Sequence, residues 1–288
     1  MYKFYKEKIE NKTYDEERAL YNQTDTHILN CTFAGPKDGE SVLKEMRNCL
    51  IEKSSFSLRY ALWHAIDFDL IDSTMDELVR APIWYAKNGK ITNCKITGVK
   101  CLRESKNIEI KGSSITSKEF GWRCSDLKIE DSNIESEYFL FETDHIMLDK
   151  VNMRGKYSFQ YVNRGLITNS NLDTKDAFWH SKNLTVINSI VKGEYLGWFS
   201  ENLTLINCHI IGTQPLCYCK NLKLIDCTME ATDLSFEYSS VKATVKGDIE
   251  SIKNPKSGYI RCDSCNEIIR ENPVMKCNAK IIVNGENK

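Results

Sequence analysis

The chain has 288 residues, with 39 Lys and Arg against 40 Asp and Glu, 41% hydrophobic residues and 12 cysteines. This length and apolar content allow a continuous core, and the low glycine and proline content excludes a disordered or low-complexity chain. The formal charge of −1 argues against a nucleic-acid partner, because phosphate binding needs an excess of Lys and Arg. No window approaches the roughly 18 consecutive apolar residues of a membrane span, so no membrane partner is expected.

The N-terminal residues, 1–23, are polar and charged, and we expect them to form a cap. Met1–Leu20 has neither the apolar segment nor the small-residue cleavage site of a secretory signal. We therefore expect a cytoplasmic location. In that reducing compartment the twelve cysteines would be free thiols.

From Thr24 onward the chain follows a 19-residue repeat, which is predicted to form the turns of a solenoid over residues 24–238. The period is strict from Lys87 to Tyr238, which hold eight blocks without insertion. Arg47–Ala65 and Ile66–Ala86 are earlier turns, the second with two extra residues. Counted from the first residue of a block, positions five and ten are aliphatic and position eight is often Ser or Cys. Alternation of these positions with polar residues is typical of strands.

This repeat predicts an all-β fold, a single-stranded right-handed parallel β-helix with about eleven turns of 19 residues. Each strand would pair with its equivalent one turn later. Asn188 and Asn207, at position seven, suit a tight corner and could form a ladder of amides from turn to turn. Gly193 and Gly212, at position twelve, predict a second corner. Asp38–Ser41 and the following residues 42–46 predict a helical or turn insertion.

Beyond residue 238 the period fails, and residues 239–288 are predicted to form terminal strands and a cap. Tyr259–Cys262 and Ala279–Val283 are short alternating segments of this kind. No second domain is expected, so residues 1–288 are predicted to form a single domain.

The positions of the cysteines indicate that they are core residues and not metal ligands. Cys94, Cys208 and Cys227 lie at position eight, where Ser alternates with them, so they are expected to be small inward residues. Cys262 and Cys265 form a single CxxC motif, with Cys277 further on and no second pair. Because a structural zinc needs four ligands, no metal is expected, and no motif for another cofactor is present.

The last third of each block combines aromatic rings with charges of both signs. Position seventeen holds all five tryptophans, namely Trp63, Trp84, Trp122, Trp179 and Trp198. In an outward column these rings would be platforms for sugar rings, flanked by carboxylates that bind hydroxyl groups. In an inward column they would fill a wide corner of the coil. Strict alternation with positions fifteen and nineteen favours the inward direction, and in both cases position eighteen faces outward.

Position eighteen supplies the candidate catalytic groups. Glu104, Arg123 and Glu142 follow one another on consecutive turns, so two carboxylates could act as an acid–base pair, or the arginine could hold both in a ladder of ion pairs. His180 lies beside Trp179, with Asp176 close by, and is the best candidate for a group that titrates near neutral pH. No nucleophile motif supports a Ser/His/Asp mechanism.

Several strings resemble a bacterial family catalogued as domain-of-unknown-function family 3737, within the pectin lyase-like superfamily of right-handed β-helices. The matching strings are DGES at 38–41, LRYALWH at 58–64, EFGW at 119–122, GKYSFQY at 155–161, TKDAFWH at 174–180, GEYLGW at 193–198, GTQPLCYC at 212–219 and DLSFEYS at 233–239. The resemblance covers nearly the whole chain and implies the fold, but no established activity. Pectin lyase-like enzymes carry a cluster of acids on one sheet, which this sequence lacks.

Three hypotheses for function follow. The protein could bind a saccharide or related small ligand on the aromatic and charged face, act on a carbohydrate as a lyase or hydrolase, or serve as an interaction scaffold, including a homo-oligomer. The candidate catalytic residues are Glu104, Glu142, Asp176 and His180. The candidate ligand-binding residues are Trp122, Arg123, Tyr157, Tyr161, Trp179, Tyr195 and Trp198.

Overall fold

A computed structural model of the chain describes residues 5–35 and 40–288. Every regular element in these ranges is a β-strand, and no helix is present there. The predicted insertion at Asp38–Ser41 lies partly outside the described residues, and residues 42–45 form a turn. The chain divides into two compact units, residues 1–144 and 145–288.

The strands of the first unit are short, two to six residues each. They are Glu7–Glu10 (β1), Thr13–Tyr14 (β2), Thr26–Leu29 (β3), Thr32–Phe33 (β4), Leu50–Glu52 (β5), Ser55–Phe56 (β6), Ile66–Ile71 (β7), Thr74–Met75 (β8), Lys87–Thr92 (β9), Lys95–Gly98 (β10), Cys101–Arg103 (β11), Lys106–Lys111 (β12), Ser114–Ser117 (β13), Glu119–Trp122 (β14), Ser125–Glu130 (β15), Asn133–Ser136 (β16) and Tyr138–Phe139 (β17).

The second unit has the same kind of strands, and its first strand begins at the last residue of the first unit. They are Asp144–Asp149 (β18), Asn152–Gly155 (β19), Asn163–Thr168 (β20), Asn171–Asp173 (β21), Lys182–Ile187 (β22), Ile190–Lys192 (β23), Thr204–Ile206 (β24), His209–Ile211 (β25), Leu222–Glu230 (β26), Ser240–Val245 (β27), Asp248–Lys253 (β28), Ser257–Cys262 (β29), Ser264–Ile269 (β30), Lys280–Val283 (β31) and Glu286–Asn287 (β32).

In both units equivalent strands of consecutive turns pair in parallel, which confirms the predicted β-solenoid. The pairing aligns position five in inward columns. In the first unit the column is Ile9, Ile28, Ile51, Leu70, Ile91, Ile110 and Ile129. In the second unit it is Ile167, Val186, Leu205, Leu224, Ala243, Ile260 and Ile281. Burial of these aliphatic columns removes apolar surface from water in every turn and is the main stabilising term.

The described residues of the two units form about 14 turns in all, where the repeat predicted eleven. At the N-terminal end, β1 and β2 pair in parallel with β3 and β4 and so add a turn before Thr24. At the C-terminal end, Ser240 pairs with Ser257 and Tyr259 with Lys280, so the turns continue with lengths that differ from nineteen residues. Turns of varying length do not show as a constant period in the sequence.

Polar side chains stack at the corners and inside the coil. Asn207 Nδ2 donates to Asn188 Oδ1 at 2.9 Å, which confirms the predicted amide ladder at position seven. A second ladder, which the repeat pattern did not predict, runs along position two, where Asn202 Nδ2 donates to Asn183 Oδ1 at 2.8 Å. At position eight, buried serines accept from the preceding turn, as when Ser189 Oγ accepts from the Ser170 amide at 3.1 Å. These bonds satisfy polar groups that the coil would otherwise leave unpaired.

Candidate functional site

The third side of each turn, positions fourteen to nineteen, has an unusual backbone that sets the direction of its side chains. In one turn of the second unit, Asp176, Phe178 and His180 all have left-handed backbone angles, with φ of 51°, 64° and 54°. The His180 amide donates to the Trp198 carbonyl of the next turn at 3.0 Å, and the Phe178 amide donates to Ser158 of the previous turn at 2.9 Å. The inter-turn ladder therefore continues, but without the two-residue alternation of a strand.

Because of this backbone, the positions that face inward differ from those that the sequence predicted. Positions fifteen, sixteen and nineteen are buried, as shown by Ala177, Phe178 and Ser181. Trp179 at position seventeen is half-buried, and His180 at position eighteen is exposed. The expectation that position seventeen shares a side with fifteen and nineteen is wrong, because alternate left-handed residues shift the inward direction to position sixteen. The outward direction of position eighteen is confirmed.

In the second unit a row of stacked rings, here named the aromatic ladder, consists of Tyr161, His180, Phe199 and Tyr218 at position eighteen and Tyr238 at position nineteen of the last block. The first four rings have centroid separations of 4.9, 5.0 and 4.8 Å and are within 15° of parallel. Tyr238 follows at 5.7 Å with a tilt of 41°. Tyr161 is 49% and Phe199 44% exposed. Because each interior ring is covered on both faces by its neighbours, the ladder presents ring edges to the solvent.

Behind the ladder, position seventeen forms hydrogen bonds between turns. The indole Nε1 of Trp179 donates to the Tyr195 carbonyl at 2.6 Å, and that of Trp198 donates to the Gln214 carbonyl at 2.8 Å. Gln160, which interrupts the tryptophan column, makes the equivalent bond through Nε2 to the Asp176 carbonyl at 3.1 Å. Trp179, Trp198 and Gln160 thus share an N–H donor that satisfies a carbonyl of the next turn.

Position fourteen places charged and phenolic groups beside the tryptophans. Asp176 is 8% exposed, and burial raises the pKa of its carboxyl, with Lys175 acting in the opposite direction and Glu194 in the same direction. Lys175 Nζ is 2.8 Å from Glu194 Oε2 and 5.7 Å from the centroid of Tyr195. Burial of a carboxyl without a cation partner of its own is the physical cause of the raised pKa.

In the first unit, arginines hold the predicted carboxylates. Arg103 lies between two indoles, with its guanidinium carbon 5.1 Å from the centroids of both Trp84 and Trp122. Its Nε is 3.6 Å from Glu104. Arg123 Nε donates to Glu142 Oε2 at 2.7 Å, and this carboxylate raises the pKa of Arg123. Arg103 therefore replaces a tryptophan by cation–π stacking, and both candidate glutamates face arginines.

The predicted site residues thus fall into two groups. Glu104, Trp122, Arg123 and Glu142 lie on adjacent turns of the first unit. The other group lies on adjacent turns of the second unit and consists of Asp176, His180, Tyr157, Tyr161, Trp179, Tyr195 and Trp198. Within the second unit the aromatic ladder also includes Phe199, Tyr218 and Tyr238, which the predicted set omitted. Phe199 occupies position eighteen of its own block, so a reading of that column in every block would have found it.

Metal-ligating side chains do not cluster in the described ranges. No group of three or more His, Cys, Asp or Glu side chains in residues 5–35 and 40–288 is arranged to hold a metal ion. In the same residues no helix has the length and apolarity to cross a membrane.

The fold and this face define the class of protein as a parallel β-solenoid with an aromatic outer surface. The chain belongs to the family described as Protein of unknown function (DUF3737), whose profile matches residues 7–283. No curated protein matches.

The solved structures that resemble the chain do so in fold. PfbA, a surface adhesin of Streptococcus pneumoniae, is 10% identical with a TM-score of 0.40, over 98% of this chain and 90% of that one. The periplasmic alginate epimerase AlgG is 11% identical with a TM-score of 0.34, over 91% and 76%. The A-module of the Azotobacter vinelandii mannuronan C-5 epimerase AlgE4 is 9% identical with a TM-score of 0.31, over 94% and 88%.

Proposed function

We propose that the protein binds a saccharide along the aromatic ladder and is a binding protein rather than a catalyst. The observation that carries the proposal is the regular placement of exposed ring edges, one per turn, over Tyr161, His180, Phe199 and Tyr218. An extended ligand that runs along this row meets the same kind of group at each turn. Its affinity then comes from many equivalent contacts.

The exposed edges suit a ligand rich in hydroxyl groups. The edge of an aromatic ring is the positive part of its quadrupole and attracts oxygen atoms. Tyr161 and Tyr218 add phenolic hydroxyls, and His180 adds ring nitrogens that donate or accept. Because ring faces inside the ladder are covered, the sugar contacts edges and polar tips, and does not insert between rings.

The charged groups support binding over catalysis. A hydrolase of the two-carboxylate type needs one carboxyl that stays protonated and a second that stays ionised nearby. Glu104 and Glu142 are each engaged in an ion pair with an arginine, at 3.6 and 2.7 Å, and neither lies in a site built around a free carboxyl. Asp176 has a raised pKa, but the neighbouring Glu194 is paired with Lys175.

A glycan array followed by calorimetry tests the proposal. We expect the wild-type protein to bind at least one class of glycan, and His180→Ala with Phe199→Ala to weaken that binding tenfold or more. Ile190→Ala is the matched control, because Ile190 is 42% exposed in the same unit but lies at position nine. Glycan binding that persists in the ladder variant, or an array with no binding at all, would refute the proposal.

A second function, self-association through the same face, is favoured by one residue. Phe199 is 44% exposed and, unlike the tyrosines and His180 of the ladder, has no polar atom, so it also suits an apolar partner surface. Sedimentation velocity of the wild type and of Phe199→Glu tests this interpretation. A concentration-dependent dimer that Phe199→Glu dissociates supports it, whereas a monomer at all concentrations excludes it.

A further inference from the structure

A groove of about 350 Å³ lies on another side of the second unit, at positions two to four of its last turns. We propose that this groove binds an organic anion through the phosphate or carboxylate group of that anion. The residues that matter are Asn202, Asn221, Lys223, Ser240, Lys242 and Gly258, here named the lysine groove. The proposal is independent of the aromatic ladder.

The column of position-three residues that runs through the groove ends in a glycine. The strand register places Leu222, Val241 and Gly258 in one column, so the position-three side chain decreases from leucine to none. Gly258 has φ of 98°, and a Cβ there would lie 1.9 Å from the Val241 carbonyl oxygen. Only glycine fits this close approach, so no side chain of residue 258 projects over the groove.

The amide ladder of position two ends at the groove. Asn221 Nδ2 donates to Asn202 Oδ1 at 3.1 Å, but the next turn has Ser240 in place of an asparagine. Ser240 Oγ accepts from the Asn221 backbone amide at 2.8 Å, which leaves its own hydroxyl proton available to a ligand. Because the amide ladder ends here, the Ser240 hydroxyl and the Asn221 side-chain amide lie at the groove and have no asparagine of a following turn as a partner.

The charge of the groove is positive and uncompensated. Lys223 and Lys242 are directly paired across β26 and β27, and both are exposed. Neither makes an ion pair with any residue of the described chain. Like charges directly opposite each other on neighbouring strands repel, and an anion between them removes that repulsion.

The first unit provides an internal comparison. A groove at the same positions is lined by Asn88, Lys90, Asn107 and Glu109. There the column alternates in sign, and Lys90 Nζ lies 3.7 Å from Glu109 Oε2. Both grooves lie at the same block positions, and asparagines line each of them. Of the two, only the groove of the second unit has two paired lysines and no carboxylate beside them.

Titration of the full-length protein with phenyl phosphate, benzoate and phenol, followed by ¹⁵N–¹H NMR, tests the proposal. We expect phenyl phosphate or benzoate to shift the amide resonances of residues 222–223, 241–242 and 257–258, and phenol not to shift them. The anion that binds more tightly identifies the head group. The affinity should fall as salt is raised, because charge attraction supplies most of it.

Variants at the exposed lysines complete the test. Lys223→Gln with Lys242→Gln should weaken binding of the better anion tenfold or more, while Lys90→Gln, in the other groove, should leave it unchanged. Equal shifts with phenol, shifts at residues elsewhere, or unchanged affinity in the double variant would overturn the proposal. These lysines align with position four, whereas the ladder rings lie at positions eighteen and nineteen, so failure here leaves the proposed saccharide site untouched.

Discussion

At Gly193 the absence of a side chain is a steric requirement. This residue has φ of 150°, and a Cβ there would lie 1.4 Å from the Thr174 carbonyl oxygen of the previous turn. We expect Gly193→Ala to lower the free energy of unfolding by more than about 2 kcal/mol, because the backbone of two turns must separate.

Gly247→Ala is the control for that experiment. Gly247 also has a left-handed backbone, with φ of 79°, but a Cβ at this residue would have no atom within 4 Å. Its substitution should cost only about 1 kcal/mol, the conformational term alone. Urea denaturation of the two variants would show equal losses if the close approach at Gly193 were absent.

Asp176 gives a pH-dependent prediction. Burial raises the pKa of this carboxyl, so the folded state favours the protonated form. The corresponding stabilisation is fully present below the unfolded pKa of about 3.9 and is lost as pH rises through the folded value. We therefore expect Asp176→Asn to be more stable than wild type at pH 7, by about 0.5 kcal/mol or more, with a smaller difference at pH 4.

Urea denaturation at the two pH values measures this difference. Glu250→Gln removes one exposed carboxylate from the same unit and controls for the change in net charge. An Asp176→Asn variant that is less stable than wild type at pH 7 would show that the charged carboxylate makes a favourable contact.

At the scale of the element, the third side of the turn is held by donors at position seventeen. Trp179→Phe keeps an aromatic ring but removes the bond from the indole to the Tyr195 carbonyl. We expect a loss of about 1–2 kcal/mol in the free energy of unfolding, since a neutral hydrogen bond contributes about 1 kcal/mol and the carbonyl loses a partner.

The matched variant for this element is His180→Phe. It keeps the stacking between Tyr161 and Phe199 and changes only an exposed edge, so its stability should stay within about 0.5 kcal/mol of wild type. Thermal unfolding of Trp179→Phe and His180→Phe compares the contributions of positions seventeen and eighteen to stability. Equal stability of Trp179→Phe and wild type would mean that the indole bond contributes nothing.

At the scale of the whole molecule, the reactivity of the cysteine thiols measures whether the chain is folded. All twelve are free, ten are buried, and only Cys265 and Cys277 are partly exposed. Burial raises the pKa of Cys101 and Cys124 to about 12, so these thiols stay protonated and unreactive at neutral pH.

We expect a thiol reagent such as DTNB to react with about two cysteines in the native protein, at pH 8, and with all twelve in guanidinium chloride. The Cys265→Ser, Cys277→Ser variant should show almost no native reaction. Rapid reaction of many more thiols in the native protein would contradict the burial of the position-eight and position-nineteen columns.

The sequence by itself determined the solenoid, because a constant period brings equivalent positions into register one turn apart and aligns Ile110 with Ile129. It also indicated that the position-eight cysteines are inward and that position eighteen is outward. Only the tertiary structure decided the direction of the tryptophans. The left-handed residues at Asp176, Phe178 and His180 break the two-residue alternation on which that inference rested, and none of them is glycine. The same holds for the last turns and the lysine groove, since the pairing of Ser240 with Ser257 follows from contacts between turns and not from a repeat length.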